Sequence, residues 1–227
     1  MVTRRREFLL AGAALGIGGA AGRTLLAADA AQPAEEVSAV EDLMREHGLL
    51  RRLLLIYEEF VRRLRARSGL PGQAFWQTVN LISTFVEDYH EKLEEKFLFP
   101  EFERRNVLVP LVKVLREQHD AGRAITAGFL KNEHSSLEGT GFHGERSCEA
   151  FIRMYRPHAA REDTVLFPAF KKLLSAKQLD ELGDKFEDEE NRRFGADGFG
   201  KMVEKVAAIE KQLGIYNLSQ FTPRRSP

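Results

Sequence analysis

Cysteine is nearly absent: the 227 residues contain one, Cys148. An internal disulfide and a thiolate-built metal site are therefore both excluded. Cys148 lies within a helical pattern with no second cysteine near it, so it reads as a small buried apolar residue and not as a nucleophile. An excess of charge of one sign is missing too, since 34 basic residues balance 34 acidic ones. No basic stripe interleaved with aromatics occurs, which excludes nucleic acid as a partner. Nowhere is there an apolar run of the roughly 20 residues that a stable membrane span needs. Runs of alternating apolar and polar residues are also lacking, which excludes a sheet and leaves an all-α chain.

The first thirty residues are a separate object. They have a basic start (Arg4, Arg5, Arg6), a weakly apolar Gly- and Ala-rich run from Phe8 to Gly22, and a small-x-small site at Ala28-Asp29-Ala30. That is the layout of an export signal, and Arg5-Arg6-Glu7-Phe8-Leu9 resembles the twin-arginine type, carried by its own export machinery. The expectation is a signal over 1–30, a linker over 31–37 and an exported, periplasmic protein; the alternative is an uncleaved anchor.

Beyond the linker the apolar spacing is helical throughout. Ser38, with Glu41 three residues later, predicts a capping box and a helix to about Arg67, stopped by "SGLPG". Further helices are expected from Gln73 to Leu98, ended by Pro100, from Val107 to Glu133, and from Gly144 to Phe167, ended by Pro168. Four long helices with short loops call for an up-down-up-down antiparallel bundle over 38–175. Two more helices, Ser175 to Phe194 and Phe199 to Gly214, form an extension over 176–214, followed by a tail over 215–227.

The bundle repeats itself. "HEKLEEKFLFPEF" (90–102) is answered by "HAAREDTVLFPAF" (158–170), and "MREH" (44–47) by "LREQH" (115–119). Two hairpins are thus near copies of one another. Each helix carries one histidine on its apolar stripe: His47, His90, His119 and His158. Glu94 and Glu162 lie four residues beyond His90 and His158, on the same face. A carboxylate turned into an apolar core costs several kcal/mol unless it is paired, and two facing each other repel in addition. A hydrogen-bonded polar core is one way out. Cations answer the geometry better, because four imidazoles and two carboxylates suffice for two metal ions with the carboxylates between them. Ligands of this type without thiolate suit iron, with manganese or zinc less fitting. His134 and His143 fall at a helix end and in a loop and read as surface residues. Glu91, turned about 100° from the stripe, reads as solvated or as a support behind the ligands.

With the doubled pattern of a lone His followed by His-x-x-x-Glu, the chain resembles the hemerythrin-like, or HHE cation-binding, family over about residues 38–175. The resemblance implies a non-haem di-iron centre held by His47, His90, Glu94, His119, His158 and Glu162. It also implies two glutamate bridges with an oxo or hydroxo group, and a position open to dioxygen or a related small molecule. Oxygen-carrying members have a fifth histidine one turn after the third. Here that place holds Arg123, which cannot ligate a metal. Dioxygen binding is the leading expectation. A di-iron oxidoreductase acting on peroxide or nitric oxide with an external reductant is the alternative, as is iron storage or sensing. Pro157, just before His158, predicts a kink in its helix.

Overall fold

The computed structural model describes residues 37–132 and 144–223. The segment expected to be an export signal, His134 and His143 lie outside the described residues. Among the described residues the regular structure is helical and no strand occurs. Helix α1 (Ala39–Ala66) opens on the capping box expected from the sequence: Ser38 Oγ accepts from the Glu41 N–H, and the Ser38 N–H donates to the Glu41 carboxylate at 2.9 Å. It closes at Arg67, whose left-handed backbone (φ 49°) ends the helix. A continuous helical rod, α2, covers residues 72–105, α3 is Val109–Leu130, and a second long rod, α4, covers residues 144–173. Helices α5 (Ala176–Phe194) and α6 (Gly198–Leu213) follow, and α5 has its own capping box from Ser175 and Gln178.

Rods α2 and α4 are not α-helical throughout. In α2, Ile82–His90 and Glu94–Leu98 are π-helical, and in α4 so is Glu162–Leu166. Each of the two glutamates singled out in the sequence therefore begins a π segment. The prolines at 100 and 168 do not end their helices, as the sequence suggested; α-helix resumes at Phe99–Arg105 and at Phe167–Leu173. The π turns supply the reason. The Phe99 N–H donates to the Glu94 carbonyl and the Phe167 N–H to the Glu162 carbonyl, five residues back. Each proline then falls in the first turn of the resumed α segment, where a missing N–H and a fixed φ are tolerated.

At Pro157, where the sequence predicts a kink, α-helix runs from Gly144 through Arg161 without interruption. Phe151, Ile152, Tyr155 and Ala159, buried on both sides of the proline, hold the helix across the lost hydrogen bond. The departure from α geometry comes later, at Glu162, and its counterpart at Glu94 has no proline near it on the N-terminal side.

Rod α1 packs on α2 and α4, and α3 packs on the same two. The shared core has two aromatic layers. Tyr57, Phe60, Phe75, Phe129 and Phe151 form one. Phe99, Phe102, Phe167 and Phe170 form the other and are all fully buried. The four stripe histidines lie between these layers. Helix α6 buries Met202, Val206, Ile209 and Leu213 against α1 and α2, and Arg52 of α1 grips Glu210 of α6 with both ends of its guanidinium, at 2.9 and 2.5 Å.

Candidate metal centre

All six residues picked from the sequence meet in one buried place. His47, Glu94, His119 and Glu162 are 0% exposed, and His90 and His158 are 3% exposed. Their ligand atoms fall into groups within 4.8 Å of one another: Glu94, His119, His158 and Glu162 in one, and His47, His90 and Glu94 in a second. Glu94 belongs to both. His47 Nε2 lies 3.3 Å from Glu162 Oε2, His158 Nε2 3.0 Å from the same oxygen, and His119 Nε2 3.4 Å from Glu94 Oε2.

The outer nitrogen of every ring is tied to an oxygen. His47 Nδ1 donates to Asp163 at 2.7 Å, His90 Nδ1 to Glu46 at 2.7 Å, His119 Nδ1 to Glu95 at 3.1 Å and His158 Nδ1 to Gln118 at 2.8 Å. A carboxylate can only accept, so these contacts assign the proton to Nδ1 and leave the Nε2 lone pair facing the interior. This is the arrangement in which imidazoles bind metals, with a carboxylate or amide oxygen orienting each ring from behind. The lone histidines are also seated by phenylalanines: Phe167 stacks on His47 at 5.3 Å and Phe99 on His119 at 5.5 Å. Each hairpin's Leu-Phe-Pro phrase thus packs on the other hairpin's lone histidine.

Sequence reasoning missed these supports, although a signal was present. Glu46 and Gln118 each precede a lone histidine, and Glu95 and Asp163 each follow a glutamate of the centre. Glu91 is not solvated. It is 1% exposed, accepts from the Tyr155 hydroxyl at 2.5 Å, and pairs with Arg123 at 2.7 Å. Gly122 makes room for that phenol, since a β-carbon there would lie 2.1 Å from the Tyr155 oxygen.

The centre's electrostatics ask for positive charge. All four carboxylate oxygens of Glu94 and Glu162, and His47 Nε2, are buried without a hydrogen bond of good geometry. Burial and repulsion from Glu162 push the Glu94 carboxyl well above its usual range. Glu162, against its own burial, is held down by the His158 and His47 rings beside it. His119 is drawn down to about 4 by burial, while His47, despite burial, is raised to about 9 by Asp163 and Glu162. Orphaned carboxylate oxygens in a dry core are expensive, and a cation of charge two or more satisfies them directly. The residues fit a metal: imidazole Nε2 atoms turned inward, at His47 in place of a second proton, two carboxylates placed between them, and four outer hydrogen bonds that fix the rings.

A scan against family models matches the hemerythrin HHE cation-binding domain over residues 38–170. The chain belongs to the hemerythrin HHE family. Uncharacterized proteins of Mycobacterium tuberculosis and Mycobacterium bovis are 47% identical to it, over 82% of this chain and 74% of theirs. No solved structure matches it. As an HHE protein it is a helical, cation-binding chain, and its buried His and Glu groups are the residues able to hold the cation.

Proposed function

We propose that this HHE protein holds two iron ions and binds dioxygen, or a related small molecule, at that centre. The observation that carries the reading is the pair Glu94 and Glu162, with four oxygens unmatched by any hydrogen bond between two sets of imidazoles. His47 and His90 would serve one ion, His119 and His158 the other, with the two glutamates shared. Iron supplies reversible one-electron chemistry and affinity for dioxygen. The chain supplies the rest: ring orientation through Asp163, Glu46, Glu95 and Gln118, and exclusion of water by Phe99 and Phe167. Such a site is best built by four rods running up-down-up-down, the topology we assign to α1–α4. Anaerobically reduced protein exposed to oxygen should develop a charge-transfer absorption band. Iron-loaded protein that shows none would overturn the reading.

A second reading, an oxidoreductase acting on peroxide or nitric oxide, is favoured by one observation. Arg123 stands where oxygen carriers place a fifth histidine, and its guanidinium is held by Glu91 and Glu95 at 2.7 and 2.8 Å. The His119 and His158 side therefore has one protein ligand fewer than the oxygen-carrying pattern, which leaves a coordination position for a substrate. Sustained consumption of peroxide or nitric oxide with an added reductant separates turnover from simple binding. The Arg5-Arg6 segment further motivates export of the folded, metal-loaded chain, which cell fractionation of the tagged protein tests.

A further inference from the structure

Tyr57 and Tyr155 both lie in the bundle core, at 0% and 1% exposure, and both pack on Phe151, with ring centroids 5.5 and 4.3 Å from it. Their hydroxyls are treated differently. That of Tyr57 has no hydrogen-bond partner among the described residues. That of Tyr155 donates to Glu91 Oε1 at 2.5 Å, while Glu91 Oε2 accepts from Arg123 at 2.7 Å. Both oxygens of Glu91 are thus acceptors, and the carboxylate is the base of the pair. The Tyr155 ring also lies 5.3 Å, centroid to centroid, from the ring of His158, one of the four imidazoles of the centre. Gly122 of α3 is what lets the phenol reach this place, since a β-carbon there would collide with its oxygen.

We propose that Tyr155 is a one-electron donor to the metal centre, passing an electron by way of His158 while its phenolic proton moves to Glu91. This rests on the reading that the centre holds iron and acts on peroxide. Burial couples the two losses. Loss of the electron alone would leave a positive charge in a dry core, and loss of the proton alone a negative one; both are costly there. Losing both leaves a neutral phenoxyl radical, shielded from solvent. The hydrogen bond already in place gives the proton its path, and Arg123 keeps Glu95 and Asp120 as partners when Glu91 is neutralised. The step balances in atoms and charge. Reduction of hydrogen peroxide to two water molecules breaks the O–O bond and takes two electrons and two protons. One electron comes from an iron(II), which becomes iron(III), and the other from the Tyr155 ring. The two protons come from solvent, and the phenolic proton stays on Glu91 Oε1. An external one-electron reductant such as ascorbate then returns the electron, and Glu91 returns the proton. Tyr57 does not serve in this way, because no base stands at its oxygen.

The test reads a radical. Iron-loaded full-length protein, its iron per chain counted first, is mixed with hydrogen peroxide, frozen and examined by electron paramagnetic resonance. The expected result is a tyrosyl signal that narrows in protein made with ring-deuterated tyrosine. It is lost in Tyr155→Phe at an unchanged iron count and kept in Tyr57→Phe. A signal that persists in Tyr155→Phe overturns the proposal, as does a parent that holds iron and shows no tyrosyl signal. A parent that holds no iron overturns the functional reading along with it, so the iron count tells the two failures apart. Should Tyr155→Phe not fold, the other three tyrosines decide: the signal must remain in Tyr57→Phe, Tyr89→Phe and Tyr216→Phe, and its loss in any one of them, folded and iron-loaded, overturns the assignment to Tyr155.

Discussion

Single residues decide whether this core can be assembled at all. Glu94 is shared by two of the donor groups, whereas His47 belongs to one. Glu94→Gln should therefore abolish metal retention, while His47→Ala should leave part of it, as read by elemental analysis. In metal-free protein the same Glu94→Gln change should raise the melting temperature, because it removes a carboxyl whose ionisation is opposed in the fold by burial and by Glu162 but is free to occur in the unfolded chain. A lower melting temperature would mean that the carboxylates are satisfied by the fold itself. The supports behind the rings are weaker levers. Glu46→Gln, which keeps the shape but withdraws charge from behind His90, should lower metal affinity roughly 10- to 100-fold, measured by chelator competition. The sequence disclosed the six inward residues because they recur at fixed spacing on apolar stripes, where a charged group has no bland explanation. It hid Tyr155 and Gly122, because an isolated tyrosine or glycine on a helix carries no such contradiction. Their meaning depends on which helix lies opposite.

At the scale of elements, the helices were legible and their internal geometry was not. The box at Ser38 needs only local chemistry, and Ser38→Ala should cost about 1 kcal/mol, read from chemical denaturation. Proline, by contrast, misled at two helix ends. Pro100 and Pro168 sit just past π turns that reset the hydrogen-bond register. The π turns widen the local repeat beyond α geometry, which a sequence periodicity near 3.6 does not register. A consequence of the helix pairing is pH-dependent. Glu87 of α2 is buried at 3% exposure against Thr126 of α3, whose hydroxyl donates to it at 2.5 Å. Burial raises its carboxyl to about 7. The folded state thus binds this proton more tightly than the unfolded chain, whose carboxyl titrates near 4.5. Stability from this group is present below about pH 4.5 and falls as pH rises toward 7. Thermal melts at pH 5 and pH 8 should show Glu87→Gln removing that loss, with the variant gaining on the parent at pH 8; equal differences at both values would refute the assignment.

As a whole the bundle is two similar helix pairs, α1–α2 and α3–α4, that complete one another. The first hairpin's His47 is oriented by Asp163 and stacked by Phe167 from the second, while His119 of the second is served by Glu95 and Phe99 of the first. Neither hairpin holds a finished half-site, which explains why the repeated phrase is long and why its parts beyond the ligands also repeat. The halves are similar without being equivalent. Behind His90 stands the carboxylate Glu46 and behind His158 the amide Gln118, whereas both halves carry an arginine four residues after the lone histidine, Arg51 and Arg123, paired with the carboxylate behind that ring. Helices α5 and α6 close one side, clasped by Arg52 and Glu210, and a chain ending at residue 174 should melt lower while binding the same number of ions. Both helix pairs converge on the space between Glu94 and Glu162, where the unmatched oxygens call for cations. Elemental analysis of full-length protein, loaded with iron(II) without oxygen and desalted, tests that claim most directly. Two irons per chain, lost in Glu94→Gln, is the result expected; a folded parent chain that retains no metal would contradict it.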